Sequence, residues 1–172
     1  MAQRSVPKAV LLDGAQMALS ALVAGTMAFL KEQNIPIKEW VSYIGEQFDG
    51  SLAELEGEEV GRVMEHLLTL QVLPLGAEVV SSQSTADKAE AIVTSLPSRN
   101  VMEKFGTTPR ELLKGFGVTQ RDFASIYTMY EPAAKAIGLS FRHRPKGGQE
   151  LLTLERASSR RTLQARRRVK KT

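Results

Sequence analysis

Apolar residues cover nearly every side of a helix drawn through positions 7–33. Gly14, Ala18, Ala21, Gly25 and Ala28 recur at helical spacing and make a face of little bulk, while Met17, Leu19, Leu22, Val23, Met27, Phe29 and Leu30 cover most of the rest. A helix apolar nearly all round is buried, at the centre of a domain or in an oligomer seam. The central position is the expectation, and a homodimer through this helix is the alternative. Asn34 and Pro36 end it. Positions 37–55 predict a second helix with Trp40, Val41, Ile44 and Phe48 on one face, kinked or split at Asp49-Gly50. A third, over 58–70, turns Val60, Val63, Met64, Leu67 and Leu68 inward.

Pro74 and Gly76 break the helical pattern. Residues 77–85 and 89–96 then predict a hairpin around Ala86-Asp87-Lys88. Its first arm ends in Ser81, Ser82, Gln83, Ser84 and Thr85, which reads as a wet edge strand, with the lining of a polar pocket as the alternative. Three cap signatures follow: Asn100 with Glu103, Thr108 with Pro109 and Glu111, and Thr119 with Asp122. They predict helices over 99–105, 109–116 and 120–137, the last bent or shortened by Pro132. After Gly138, residues 139–144 and 149–155 predict a second hairpin with a basic outer face, connected through Pro145-Lys146-Gly147-Gly148. The fold class expected is α+β, a helix-rich body over residues 1–156 whose two hairpins make one four-stranded antiparallel sheet.

Charge divides the chain in a way hydropathy does not. The net charge is +4, yet residues 156–172 carry eight cations and no acid, which leaves −4 for everything before them. Residues 157–172 therefore form a basic tail on an acidic body, with Arg160, Arg161, Arg166, Arg167, Arg168, Lys170 and Lys171 as candidate contacts to an anionic partner, nucleic acid or an acidic protein surface. The absence of cysteine in the 172 residues excludes disulfides, zinc fingers, iron–sulfur clusters and thiol nucleophiles. It fits a reducing compartment, and a cytoplasmic protein is expected. The stretch from Gly14 to Leu30 falls short of the ~20 apolar residues of a spanning helix and is rich in Ala and Gly, so no membrane span is expected. Asp13 interrupts the run that a cleaved leader would need.

Catalytic signals are sparse. His66 and His143 stand far apart, and nothing in their spacing brings carboxylates to either as a metal site. Glu54, Glu56, Glu58 and Glu59 read as a solvated helix end rather than a metal cluster. Gly115-Phe116-Gly117 follows a helix, the wrong context for a dinucleotide loop. No catalytic residue, metal or cofactor is assigned. Tyr127, Tyr130, Glu131 and Phe141 are candidates for a ligand pocket, Tyr127 and Glu131 sharing a helical face.

Residues 112–119 run from a helix through a glycine turn into a capped helix, which resembles a helix-turn-helix. In that reading Thr119, Gln120 and Arg121 meet base edges, and the hairpin carrying Arg142, Arg144 and Lys146 is a basic wing. A second resemblance rests on Gly76-Ala77-Glu78-Val79-Val80 through Val93-Thr94-Ser95-Leu96-Pro97 and on the stretch Phe141 to Leu154. In layout, over about half the chain, these are similar to the two hairpins of 4-vinyl-reductase-like ligand-binding domains. The resemblance implies one antiparallel sheet backed by helices and a small hydrophobic or tetrapyrrole-like ligand. This chain lacks the cysteines that many relatives carry, and no family site residue carries over. The function expected is a non-enzymatic ligand-binding or interaction module whose tail docks on an anionic partner. The alternatives are a winged-helix DNA-binding protein and an enzyme with its site between sheet and helices.

Overall fold

Alternating apolar and polar residues build a four-stranded antiparallel sheet in the computed structural model, which describes residues 7–157. The strands are β1 (Val79–Ser84), β2 (Lys88–Thr94), β3 (Leu139–Lys146) and β4 (Gln149–Arg156), in the order β1-β2-β4-β3. Both expected hairpins are present, and the β2–β4 pairing joins them into the single sheet expected. Gly147 and Gly148 close the second hairpin at φ 59° and 80°. Two successive positive φ values suit a tight turn whose twist matches that of the strands, and glycine adopts them without steric cost. The turn is therefore shorter than expected, because Pro145 and Lys146 continue β3. Proline is tolerated there because β3 is an edge strand.

Seven helices accompany the sheet: α1 (Lys8–Glu32), α2 (Ile37–Gln47), α3 (Val60–Leu67), α4 (Arg99–Lys104), α5 (Pro109–Gly115), α6 (Gln120–Ala124) and α7 (Tyr130–Ala136), of which α3 and α7 cover one of its faces. The sheet gives Ala89, Ala91, Val93, Phe141, Leu152 and Leu154 to the core; α3 meets them with Val60, Val63, Met64 and Leu67, and α7 with Tyr130, Ala133 and Ala134. Thr108 and Thr119 cap α5 and α6 through reciprocal bonds with Glu111 and Asp122, as their spacing requires.

Several expectations need correction. Ser98, not Asn100, caps α4: it follows Pro97 in an extended conformation and accepts from the Val101 N–H, while the Asn100 amide donates to Glu78 at 2.6 Å. The predicted helix 120–137 is three pieces, α6, a 3-10 segment Ser125–Met129 and α7. Pro132 has no N–H for the Thr128 carbonyl, and its ring would collide with it in a continuous helix. The second helix stops at Gln47 before a 3-10 segment Asp49–Leu55, which leaves Phe48 exposed. The third gives way to a π-helical turn, Leu68–Val72.

The first helix is not central. It buries Gln16, Ser20, Val23, Ala24, Met27 and Leu30 along one face and leaves Leu11, Leu22 and Phe29 exposed. Its main neighbours are α4, α6, α2 and the turn Leu73–Leu75, because α3 and α7 already occupy the sheet. By length and composition alone it could cross a bilayer.

One glycine fixes the approach of α2 to the segment before α7. A Cβ on Gly45 would stand 2.6 Å from the Met129 carbonyl oxygen and 3.1 Å from Pro132 Cγ. Backbone cannot yield as a flexible side chain does. Gly45→Ala gains about 1 kcal/mol of helix propensity but forces the two elements apart, and overpacking of this kind costs about 1–3 kcal/mol. Urea unfolding should show a net loss of up to about 2 kcal/mol.

Candidate functional site

The strand register decides which side chains leave the core. Ala89, Leu154 and Phe141 stand side by side towards the helices, as do Ala91, Leu152 and His143. Residues of the other parity share the opposite face: Lys88, Glu90 and Ile92 on β2, Leu151, Thr153 and Glu155 on β4, and Arg142, Arg144 and Lys146 on β3. Among the described residues, the helices with substantial contact to the sheet, α3 and α7, belong to the first face.

The second face carries a groove of about 450 Å³ lined by Lys88, Glu90, Arg142, His143, Arg144 and Thr153. Its shape follows from residue size: Thr153 on the central strand is short, and long side chains flank it on both neighbouring strands. Its charge is mostly positive. Arg142 pairs with Glu155 at 2.5 Å and Lys88 with Glu90 at 2.7 Å. Arg144 and Lys146 make no ion pair among the described residues. Hydrogen bonds from Lys88 and Gln83, reinforced by the charges of Lys88 and Arg144, hold the Glu90 carboxyl below its usual range. Glu90 therefore stays ionised through the neutral range and opposes an anion in the groove.

Beneath this face lies a buried polar chain. His143 Nε2 is 2.6 Å from Glu150 Oε2, and the Ser95 hydroxyl donates to Glu150 Oε1 at 2.8 Å. The side chains of His143 and Glu150 are 9% and 3% exposed, so water cannot replace either bond. The Tyr127 ring lies 4.9 Å from the His143 ring, with its hydroxyl buried and unpartnered. Burial, and then the nearby Glu150 charge, push the Tyr127 phenol well above its usual range. Burial alone does the same to Tyr130. An unpaired buried hydroxyl costs about 1–3 kcal/mol of desolvation. Tyr127→Phe removes that cost and keeps the ring, so thermal or urea unfolding should show a gain of about 1 kcal/mol.

The residues proposed for a ligand pocket are not gathered around one. Tyr127, Tyr130 and Phe141 are core side chains, with Tyr130 edge-on to Phe141 at 5.8 Å. Glu131 is exposed. Tyr127 and Glu131 do not share a helical face: Tyr127 lies buried in the 3-10 segment, whereas Glu131 is exposed at the start of α7. The helix-turn-helix residues are largely engaged elsewhere. The Thr119 hydroxyl accepts from the Asp122 N–H, and the Gln120 amide donates to the Leu96 carbonyl at 2.5 Å; Arg121 is exposed. Burial works against ionisation of Asp122, but the Thr119 N–H and hydroxyl and the Lys31 ammonium outweigh it and hold the carboxyl below its usual range. The α6 helix itself is five residues long. A cleft of about 440 Å³ separates Gln120 from Gly148 and Gln149 of the β3–β4 turn.

Arg142, Arg144 and Lys146, singled out in the sequence as a basic wing, share the outer face of the edge strand β3. The sequence alone does not reveal Lys88, Glu90 and Thr153, which join them only through the β2–β4 and β3–β4 pairings. Nor does it reveal the Glu150–Ser95 bond. The one available signal was a glutamate at a strand position opposite the Pro145 side of an alternating arm. The tail candidates Arg160, Arg161, Arg166, Arg167, Arg168, Lys170 and Lys171 lie outside the described residues. No group of His, Asp and Glu able to hold a metal occurs among the described residues. No protein-family model and no curated protein matches the chain.

Proposed function

We propose that the protein is an interaction module for single-stranded nucleic acid, held through its phosphates by the groove on the outer sheet face and by the basic tail. The observation that carries this reading is the row Arg142, Arg144, Lys146 on the edge strand, facing Lys88 across a groove floored by Thr153. Alternate residues of a strand repeat every ~7 Å, a spacing comparable with that of successive phosphates in an extended strand. The tail begins where β4 ends, beside the start of β3: Arg156 pairs in register with Leu139, and the Ala157 N–H donates to the Gly138 carbonyl. The cations that follow Ala157 in the sequence thus add to those of the groove, on a body whose net charge without them is negative.

No aromatic side chain stands at the outward register positions of β2, β3 and β4. Stacking platforms of the kind that read bases are therefore missing from this face, and contact runs through the backbone charge. Binding should be insensitive to sequence and steeply dependent on salt. A five-residue α6 with its cap and first side chain already bonded favours this reading over a helix inserted in a duplex groove.

Fluorescence anisotropy with a labelled oligothymidylate tests it. Arg144→Glu with Lys146→Glu should weaken binding by about tenfold or more. Glu90→Gln, which removes the acid inside the groove, should tighten it by about two- to fivefold. Unchanged affinity in both variants, with the fold intact by circular dichroism, would overturn the assignment of the groove.

A further inference from the structure

We infer that the exposed face of α1 is a seam that joins two copies of this chain, helix against antiparallel helix. This does not depend on the nucleic-acid reading. The face opposite the buried stripe of α1 is itself apolar: Leu11, Leu22 and Phe29 are 58%, 66% and 57% exposed. At 100° per residue the three point within about 20° of one another. Ala15, Ala18 and Gly25 complete the row, so Leu11, Ala15, Ala18, Leu22, Gly25 and Phe29 follow one another at intervals of four, three, four, three and four. Alternation of four and three is the spacing of a helix seam; a helix that merely faced solvent would have no reason to keep it in apolar residues. Phe116 lies against Gly25, 3.4 Å from the place of its missing Cβ, and extends the patch sideways.

The occupant is read from the charges at the two ends. Extending the same spacing backwards by three and forwards by three reaches Lys8 and Glu32. Both are exposed, and neither makes an ion pair among the described residues. An antiparallel partner aligned about the middle of the row sets Lys8 against the second copy's Glu32, Leu11 against Phe29, Ala15 against Gly25, and Ala18 against Leu22. The end layers pair large with large, Ala15 meets Gly25 in a layer of little bulk, and at the centre each Leu22 packs over the other copy's Ala18. The small layers permit close approach of the backbones, and opposed helix dipoles add to the attraction. A parallel pair would instead put Lys8 on Lys8 and Glu32 on Glu32.

Sedimentation equilibrium of the full chain should give a dimer at micromolar concentration, and Leu22→Glu a monomer with unchanged circular dichroism. Orientation is read by cross-linking, since the chain has no cysteine of its own. Mixing Leu11→Cys protein with Phe29→Cys protein under mild oxidation should give the mixed disulfide dimer in preference to either like pair, and this readout needs no destabilised variant. The inference is overturned by a chain that stays monomeric at about 100 µM, or by like pairs dominating the cross-link. A monomer that floats with phosphatidylcholine vesicles, and loses them on Leu22→Glu, would give the stripe to a lipid surface and overturn it too.

Discussion

A chain truncated after Ala157 should lose most of its affinity for single-stranded nucleic acid while keeping its fold. The deletion removes seven cations, Arg160 to Lys171, and no acid, so the remaining protein carries net negative charge. Each phosphate contact contributes about −0.7 to the slope of log K on log salt for single strands. If all seven engage, the slope becomes shallower by about five. At moderate salt a change of that size lowers affinity by on the order of a hundredfold or more. The melting temperature should barely move, because the core is assembled from residues that precede the tail. Anisotropy titrations of both chains across a salt series give affinity and slope together. A truncated chain with the same slope as the full one would show that the tail touches no phosphate.

The largest effect on stability should come from Glu150→Ala. Glu150 is 2% exposed and stands where β4 faces the helices, flanked by Val93 and Pro145 in register. Its two oxygens hold His143 and Ser95, which belong to two other segments of the chain. Removing the carboxylate takes the partner from the imidazole and from the Ser95 hydroxyl in a site that excludes water, at about 1–3 kcal/mol for each bond lost. Glu150→Gln keeps an acceptor for Ser95 and should cost less, about 1–2 kcal/mol. Urea unfolding of the two variants separates the cases. Equal losses would mean that volume, rather than the hydrogen bonds, matters at this position.

How far these features were legible in the sequence differs with the physics behind each. The hairpins and the Thr108 and Thr119 caps are local, set by residues a few positions apart, and the structure has them where the spacing puts them. The Ser98 cap was missed because its competitor Asn100 offers the same chemistry two residues later, and only the tertiary partner Glu78 shows where that amide goes. The position of α1 was misread for a related reason. Apolar residues on all sides announce burial, but not whether the covering surface lies in the same chain. The groove was half legible. Alternation on β3 showed a basic face, while its partners on β2 and β4 depend on which strand pairs with which, a long-range choice that no window of sequence contains.

The outer sheet face is the surface proposed to receive the phosphate backbone. The most direct test is a titration of isotope-labelled full-length protein with an oligothymidylate, followed by backbone amide shifts. The largest changes outside the tail should map to Lys88, Glu90, Arg142, Arg144, Lys146 and Thr153, and should fade together as salt is raised. Changes centred on Thr119, Gln120, Arg121 and the cleft beside Gly148, with the sheet face silent, would contradict that proposal.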